Sequence, residues 1–213
     1  MKFIFINPPR EIKSNNIWNI INSENPPLGL ALLAAIWDEQ EHTSKIIDAA
    51  ALHLTIPEII ARISPDTNFI GITATTPEIS KALIIAQNVR QAFPNIKIIM
   101  GGVHPTVFHE ELVRNNICDM VVRNEGEIPI TELAKSTPLD LIPNLTWRNS
   151  QNEVIINPDS AKYVDYFSKA RRTRSRSAGL SNRGQTRPSF ASALWWLRFS
   201  CTTNSRGGVG PSC

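Results

Sequence analysis

Cysteine is scarce and scattered: Cys118, Cys201 and Cys213 are the only three in 213 residues. They suggest neither a disulfide framework nor a metal cluster. A reduced, cytoplasmic setting is the expectation. Long apolar runs are lacking as well. The longest, Leu28 to Trp37, spans about ten residues, and a bilayer-crossing helix needs roughly 18 or more. No membrane span is expected. The opening Met1-Lys-Phe-Ile-Phe-Ile-Asn7-Pro8-Pro9 has too short an apolar run for a signal peptide and reads as a strand. Neither G-x-G-x-x-G nor G-x-x-x-x-G-K-[ST] occurs, which argues against dinucleotide and nucleoside triphosphate binding. H-E-x-x-H and C-x-x-C are absent too, and no Ser/His/Asp or Cys/His arrangement can be drawn.

Acidic residues are missing from one end. Up to residue 165 there are 13 Lys and Arg against all 19 Asp and Glu, a balance of −6; residues 166–213 hold the other 9 basic residues and no acid, a balance of +9. Ile is common before residue 157 and absent after it. The last stretch is instead rich in Ser and Arg, then has Trp195-Trp196 and a Gly-rich end. The expected division is a globular domain over 1–140, an appended hairpin and linker over 141–165, and a low-complexity basic tail over 166–213, disordered or out of frame. The tail's Arg-Ser runs would attract phosphate without sequence preference, so no specific nucleic acid is expected.

The first 135 residues alternate β-branched runs with helical patterns. Strands are predicted at Lys2–Ile6, Ser44–Asp48, Asn68–Thr73, Ile96–Met100 and Asp119–Val122. Helices are predicted at Leu28–Gln40, Ile56–Ser64 with Thr55 as N-cap, Thr76 to about Phe93, His109–Asn115 and around Ile130–Lys135. Thr76 is expected to cap the third of these. The fold class is therefore α/β: a Rossmann-like, doubly wound, mostly parallel five-stranded sheet with strands buried on both faces. Residues 141–157 read as a hairpin turning at Asn149–Asn152.

Ligands of such sheets bind beyond the carboxyl ends of the strands, at the switch point. The exits are Asn7-Pro8-Pro9, Asp48, Thr73-Ala-Thr75-Thr76, Gly101-Gly102-Val-His104 and Arg123-Asn-Glu125-Gly126-Glu127. The diglycine would let a ligand tail lie against the backbone, or would simply form a tight turn. Thr73 or Thr75 could donate hydroxyl hydrogen bonds. Asp48 could bind a ribose or a ligand amide, or cap its own loop. His53, His104 and His109 each lack a partner at metal-ligand spacing and read as surface or structural histidines; His104 is set apart by the neighbouring diglycine. Glu125 and Glu127 could be an acid–base pair, but complementing the dipole of the next helix is the simpler role.

Taken in order, Asn7-Pro8-Pro9, Pro26-Pro27-Leu28-Gly29-Leu30, Ile47-Asp48-Ala49, Met100-Gly-Gly-Val-His-Pro-Thr106 and Asn124-Glu-Gly-Glu127 resemble one family. It is the N-terminal cobalamin-binding domain of radical S-adenosylmethionine enzymes, the group that includes the anaerobic magnesium-protoporphyrin ester cyclase. The resemblance covers about residues 1–165. It implies cobalamin held over the carboxyl edge of the sheet, with Thr73, Thr75, Gly101 and Gly102 along the slot for the nucleotide tail and His104 beside it. Asn7, Pro8, Asp48, Glu125 and Gly126 would surround the corrin.

Two departures qualify the resemblance. The D-x-H-x-x-G motif that ligates cobalt from below in other cobalamin proteins is absent, which points to the radical branch and leaves the lower axial position unassigned. The family continues into a barrel opening with C-x-x-x-C-x-x-C, the thiolates of a four-iron cluster. Here Asn204-Ser-Arg-Gly-Gly has glycine where the first such cysteine would stand. The iron–sulfur cluster and S-adenosylmethionine are therefore not expected. The chain from about residue 166 reads as the product of a frameshift or truncated frame, and the whole as a cobalamin module with no catalysis of its own. A barrel acting in trans is its expected partner besides cobalamin. The alternative is a stand-alone flavodoxin- or receiver-like regulatory or phosphate-binding domain. A receiver, however, needs an acidic cluster at the first strand exit, where Asn-Pro-Pro stands.

Overall fold

Side-chain alternation in the first strand divides the core into two layers. In a computed structural model that describes residues 1–9 and 26–160, strand β1 (Lys2–Asn7) points Phe3 and Phe5 to one face and Ile4 and Ile6 to the other, all buried. Both faces must be covered by helices, because each is apolar. Helix α1 (Leu28–Glu39) covers the aromatic face, burying Leu30, Ala34, Ile36 and Trp37. Trp37 meets Phe3 edge-on at 5.0 Å between ring centroids, and Phe3 stacks on Phe5 at 4.1 Å. Each such pair is worth about 0.5–1.5 kcal/mol beyond the area it buries. Strand β2 (Thr43–Asp48) follows and pairs parallel with β1.

Helix α2 (Ile56–Ala61) crosses to the aliphatic face. Thr55 caps it as expected: the Thr55 amide and hydroxyl both donate to Glu58, at 2.8 and 2.7 Å. Strand β3 (Phe69–Thr73) then pairs with the other side of β1. Within it, a side chain on Gly71 would lie 2.8 Å from the Phe3 ring, so the stacked rings depend on glycine there. Helix α3 (Ile79–Ala92) buries Ala82, Ile85, Ala86 and Val89. It starts later than predicted, with Glu78 rather than Thr76 at its N-cap.

Strand β4 (Lys97–Gly101) pairs with β3. Two short helices follow, α4 (Val103–Val107) and α5 (His109–Arg114). Strand β5 (Met120–Val122) is the last parallel strand, and helix α6 (Glu127–Ala134) returns to pack beside α1 on the aromatic face. The hairpin, strands β6 (Leu145–Arg148) and β7 (Val154–Ile156), turns over Asn149–Asn152 as predicted. It is appended at the edge of the parallel sheet and continues it. β6 pairs antiparallel with β5, so the sheet has seven strands in the order β2-β1-β3-β4-β5-β6-β7. The parallel part runs 2-1-3-4-5, whose switch point lies between β1 and β3. The basic tail over 166–213, the end of the linker over 161–165 and residues 10–25 lie outside the described residues. No helix among the described residues is long and apolar enough to cross a membrane.

Candidate functional site

The parallel register brings the predicted exits to one edge. Asn7 lies beside Asp48, and Thr73 beside Gly101. The Asn7 side-chain amide donates to Asp48 Oδ1 at 2.9 Å, and that oxygen also accepts the Ala51 amide at 3.2 Å. Asp48 thus closes its own loop through one oxygen. Its Oδ2 makes no hydrogen bond among the described residues and remains available as an acceptor. Pro8 is buried, so it shapes the first exit without presenting a surface.

At the centre of the edge the two glycines differ. Gly102 has φ +98°, and a Cβ there would lie 2.8 Å from the Ala74 carbonyl oxygen and 3.0 Å from Thr73 Oγ1. The space beside it is filled by the β3 exit itself, so Gly102 is required by the fold. Gly101 has no such constraint. A Cβ there would meet only Val122, with its carbonyl oxygen at 3.6 Å, an ordinary contact. The missing side chain leaves surface open next to Thr73. The Thr73 hydroxyl makes no hydrogen bond among the described residues. Thr75 is already engaged: its amide and hydroxyl donate to the buried carboxylate of Glu78, at 3.2 and 2.8 Å. Of the two threonines, Thr73 is the one with an unused donor.

His104 sits on α4, half-buried, where it stacks on Phe108 at 4.5 Å with Nδ1 3.3 Å from Thr76 Oγ1. Its partners are thus Thr76 and Phe108. His109 Nδ1 is 3.0 Å from Thr146 Oγ1; burial, and then the nearby Arg123 guanidinium, lower its pKa. No group of three or more metal-ligating side chains occurs among the described residues. Burial pushes the Cys118 thiol up to about 12, which makes it a poor nucleophile.

The fifth exit is built differently from the others. Glu125 is exposed, and Gly126 faces Leu33 of α1, whose Cδ1 would be 3.2 Å from an added Cβ. Glu127 lies in the first turn of α6, where its charge complements the helix dipole. Thr106 links this exit to the diglycine: its hydroxyl donates to Gly102 O at 2.9 Å and accepts the Asn124 amide at 3.1 Å. Behind the turn lie three buried polar residues: Arg123, which the sequence reading named only as the start of the fifth exit, and Asn144 and Asn157, which it did not single out. The one cue to Asn144 was an asparagine following proline, a pattern shared by many ordinary turns.

Along this edge side chains are sparse at two places. Gly101 leaves open surface beside the unused Thr73 hydroxyl, and at Gly29, at the start of α1, an added Cβ would meet nothing within 4 Å. Asp48 offers an acceptor at one side. A shallow depression of about 420 Å³ lies at the opposite edge, lined by Met1, Asp66, Asn68 and Lys97 among others; none of the predicted residues belongs to it.

Comparison with known proteins bears on the role of the strand-exit edge. The model of the B12 binding domain family matches residues 19–134, more than half of the chain. An uncharacterized methyltransferase of Pyrococcus horikoshii is 40% identical over 137 residues, covering 62% of this chain and 28% of that protein. The anaerobic magnesium-protoporphyrin IX monomethyl ester cyclase of Synechocystis is 30% identical over 137 residues, covering 62% and 27%. The chain thus spans just over a quarter of the length of these curated relatives. Among solved structures, the fold is similar to the cobalamin-dependent S-adenosylmethionine radical enzyme OxsB with aqua-cobalamin and S-adenosylmethionine bound. That match has a TM-score of 0.60 at 19% identity and covers 76% of this chain and 22% of that one. It is also similar to the radical S-adenosylmethionine methyltransferase TsrM from Kitasatospora setae with cobalamin and a 4Fe-4S cluster bound. Here the TM-score is 0.58 at 16% identity, covering 78% and 30%. At these identities the likeness is one of fold.

Proposed function

This chain belongs to the B12-binding domain family, and from that premise we propose that the carboxyl edge of its sheet holds cobalamin. Asn7, Pro8, Asp48 and the Glu125-Gly126 turn would surround the corrin. Thr73, Thr75, Gly101 and Gly102 would line the slot for the nucleotide tail, with His104 at its side. The observation that carries this assignment is the register pair of Thr73 and Gly101. It places an unused hydroxyl beside open backbone in mid-sheet, next to the switch point.

The residues divide the work by their present bonding. Asp48, held by Asn7 and the Ala51 amide, keeps one oxygen for an amide N–H. Thr73 donates to the tail. Gly102 lets the β4 exit pass close against the β3 exit along the slot, and Glu78 keeps the β3 exit in shape through Thr75. Bound cobalamin would supply a cobalt centre able to carry a methyl group, while the protein supplies its placement.

The 213 residues contain no C-x-x-x-C-x-x-C motif. The proposed role of these residues is that of a cobalamin-binding module, with S-adenosylmethionine cleavage the work of an iron–sulfur domain outside them. A radical S-adenosylmethionine barrel acting in trans would be the partner that supplies catalysis. Two measurements test the proposal. Hydroxocobalamin mixed with the purified chain should co-elute with it on gel filtration in an equimolar amount. Incubation with S-adenosylmethionine and a low-potential reductant should release no 5′-deoxyadenosine. Elution of all corrin absorbance at the position of free cobalamin would refute the binding role.

A further inference from the structure

The structure assigns a positioning role to Asn144: through a buried polar cluster with Arg123 and Asn157, it fixes the Glu125-Gly126 turn for cofactor binding. The inference rests on the reading of that turn as part of the cobalamin rim. Asn144 is 4% exposed and has φ +59°, a conformation asparagine tolerates better than most residues. Its polar groups reach in four directions. Its amide donates to Pro158 O at 3.0 Å, and its carbonyl accepts the Arg123 amide at 2.8 Å. Its side-chain amide donates to Glu125 O at 3.4 Å, and Oδ1 accepts the Ser160 amide at 2.7 Å. One residue between the hairpin and the fifth exit therefore ties the rim turn to the segment leaving β7.

Two neighbours hold that segment in turn. Arg123, 8% exposed, turns its guanidinium to the Asn157 carbonyl and to Asp159, the latter at 2.8 Å. The Asn157 side-chain amide donates to Leu139 O and Ile142 O, both at 2.6 Å, while its Oδ1 accepts Trp147 Nε1 at 3.3 Å. Buried polar networks of this kind specify geometry, because each member lost leaves its partner unsatisfied. From the other side Thr106 holds Asn124 against Gly102. The turn is thus braced from both the diglycine exit and the hairpin, although its own Glu125 is exposed. A cluster serving only to anchor the hairpin would not need the bond from Asn144 to Glu125.

The test uses the full chain with Asn144→Asp and Asn144→Gly. Both tolerate positive φ, and both remove the donor to Glu125 O. Val89→Ala, a core truncation on α3 outside the cluster, controls for loss of stability. Hydrogen exchange over residues 123–127 and hydroxocobalamin affinity are read together. In both Asn144 variants exchange at 123–127 should accelerate, and affinity should fall, by about tenfold, as expected for the loss of one side-chain hydrogen bond. Val89→Ala should change neither selectively. Unchanged exchange at 123–127 in the Asn144 variants, or faster exchange with unaltered affinity, would overturn the inference. If the unaltered chain binds no cobalamin, the rim reading fails, and the exchange measurement still decides whether Asn144 holds the turn.

Discussion

Adjacent glycines at the end of β4 do opposite jobs, and substitution should separate them. Gly102→Ala combines a positive φ with a Cβ 2.8 Å from the Ala74 carbonyl. It should destabilise the chain by about 2–3 kcal/mol in urea denaturation. Gly101→Ala meets only ordinary contacts and should leave the urea midpoint nearly unchanged while weakening cobalamin binding. At the opposite edge, Asp119 carries an acid-sensitive contribution to stability. Burial alone would raise its pKa, but the Ile98 amide at 2.9 Å and the Arg90 guanidinium at 2.6 Å more than offset this, and the net direction is downward. A carboxyl whose folded pKa lies below its unfolded one binds fewer protons in the folded state. Its stabilisation is therefore complete above the ordinary aspartate range and is lost as pH falls through the lowered value. Asp119→Asn should flatten that part of the stability–pH curve, as followed by thermal melting at a series of acidic pH values.

The strands and most helices were legible from periodicity, because each buries an apolar face against a neighbour. The exits were legible less completely. Thr76 occupied the expected capping position, yet the buried Glu78 captures Thr75 and starts α3 later; a local pattern does not reveal which side chain becomes buried. Helix α4 was missed because five residues between a diglycine and another helix carry too little periodicity. The hairpin was recognised as an addition to the domain but not its pairing with β5, since strand pairing across such a distance leaves no local mark. Its attachment depends on Asn157, which joins the β7 exit to Leu139, Ile142 and Trp147. Asn157→Ala would leave the Ile142 carbonyl and the Trp147 indole N–H without their side-chain partner and should cost about 2–4 kcal/mol. Urea denaturation followed by circular dichroism should report the loss.

At the scale of the whole molecule, seven strands and two helical layers align five strand exits on one edge, and it is there that cobalamin binding is proposed. The central claim is the edge at which the cofactor sits. Calorimetric titration of hydroxocobalamin into the unaltered chain, Gly101→Leu and Asp66→Leu tests it most directly. A leucine at 101 would fill the surface beside Thr73, whereas one at 66 would intrude only at the opposite edge. Binding by the unaltered chain and Asp66→Leu, with loss in Gly101→Leu, is the predicted result. Equal binding by Gly101→Leu, or loss in Asp66→Leu alone, would contradict the account.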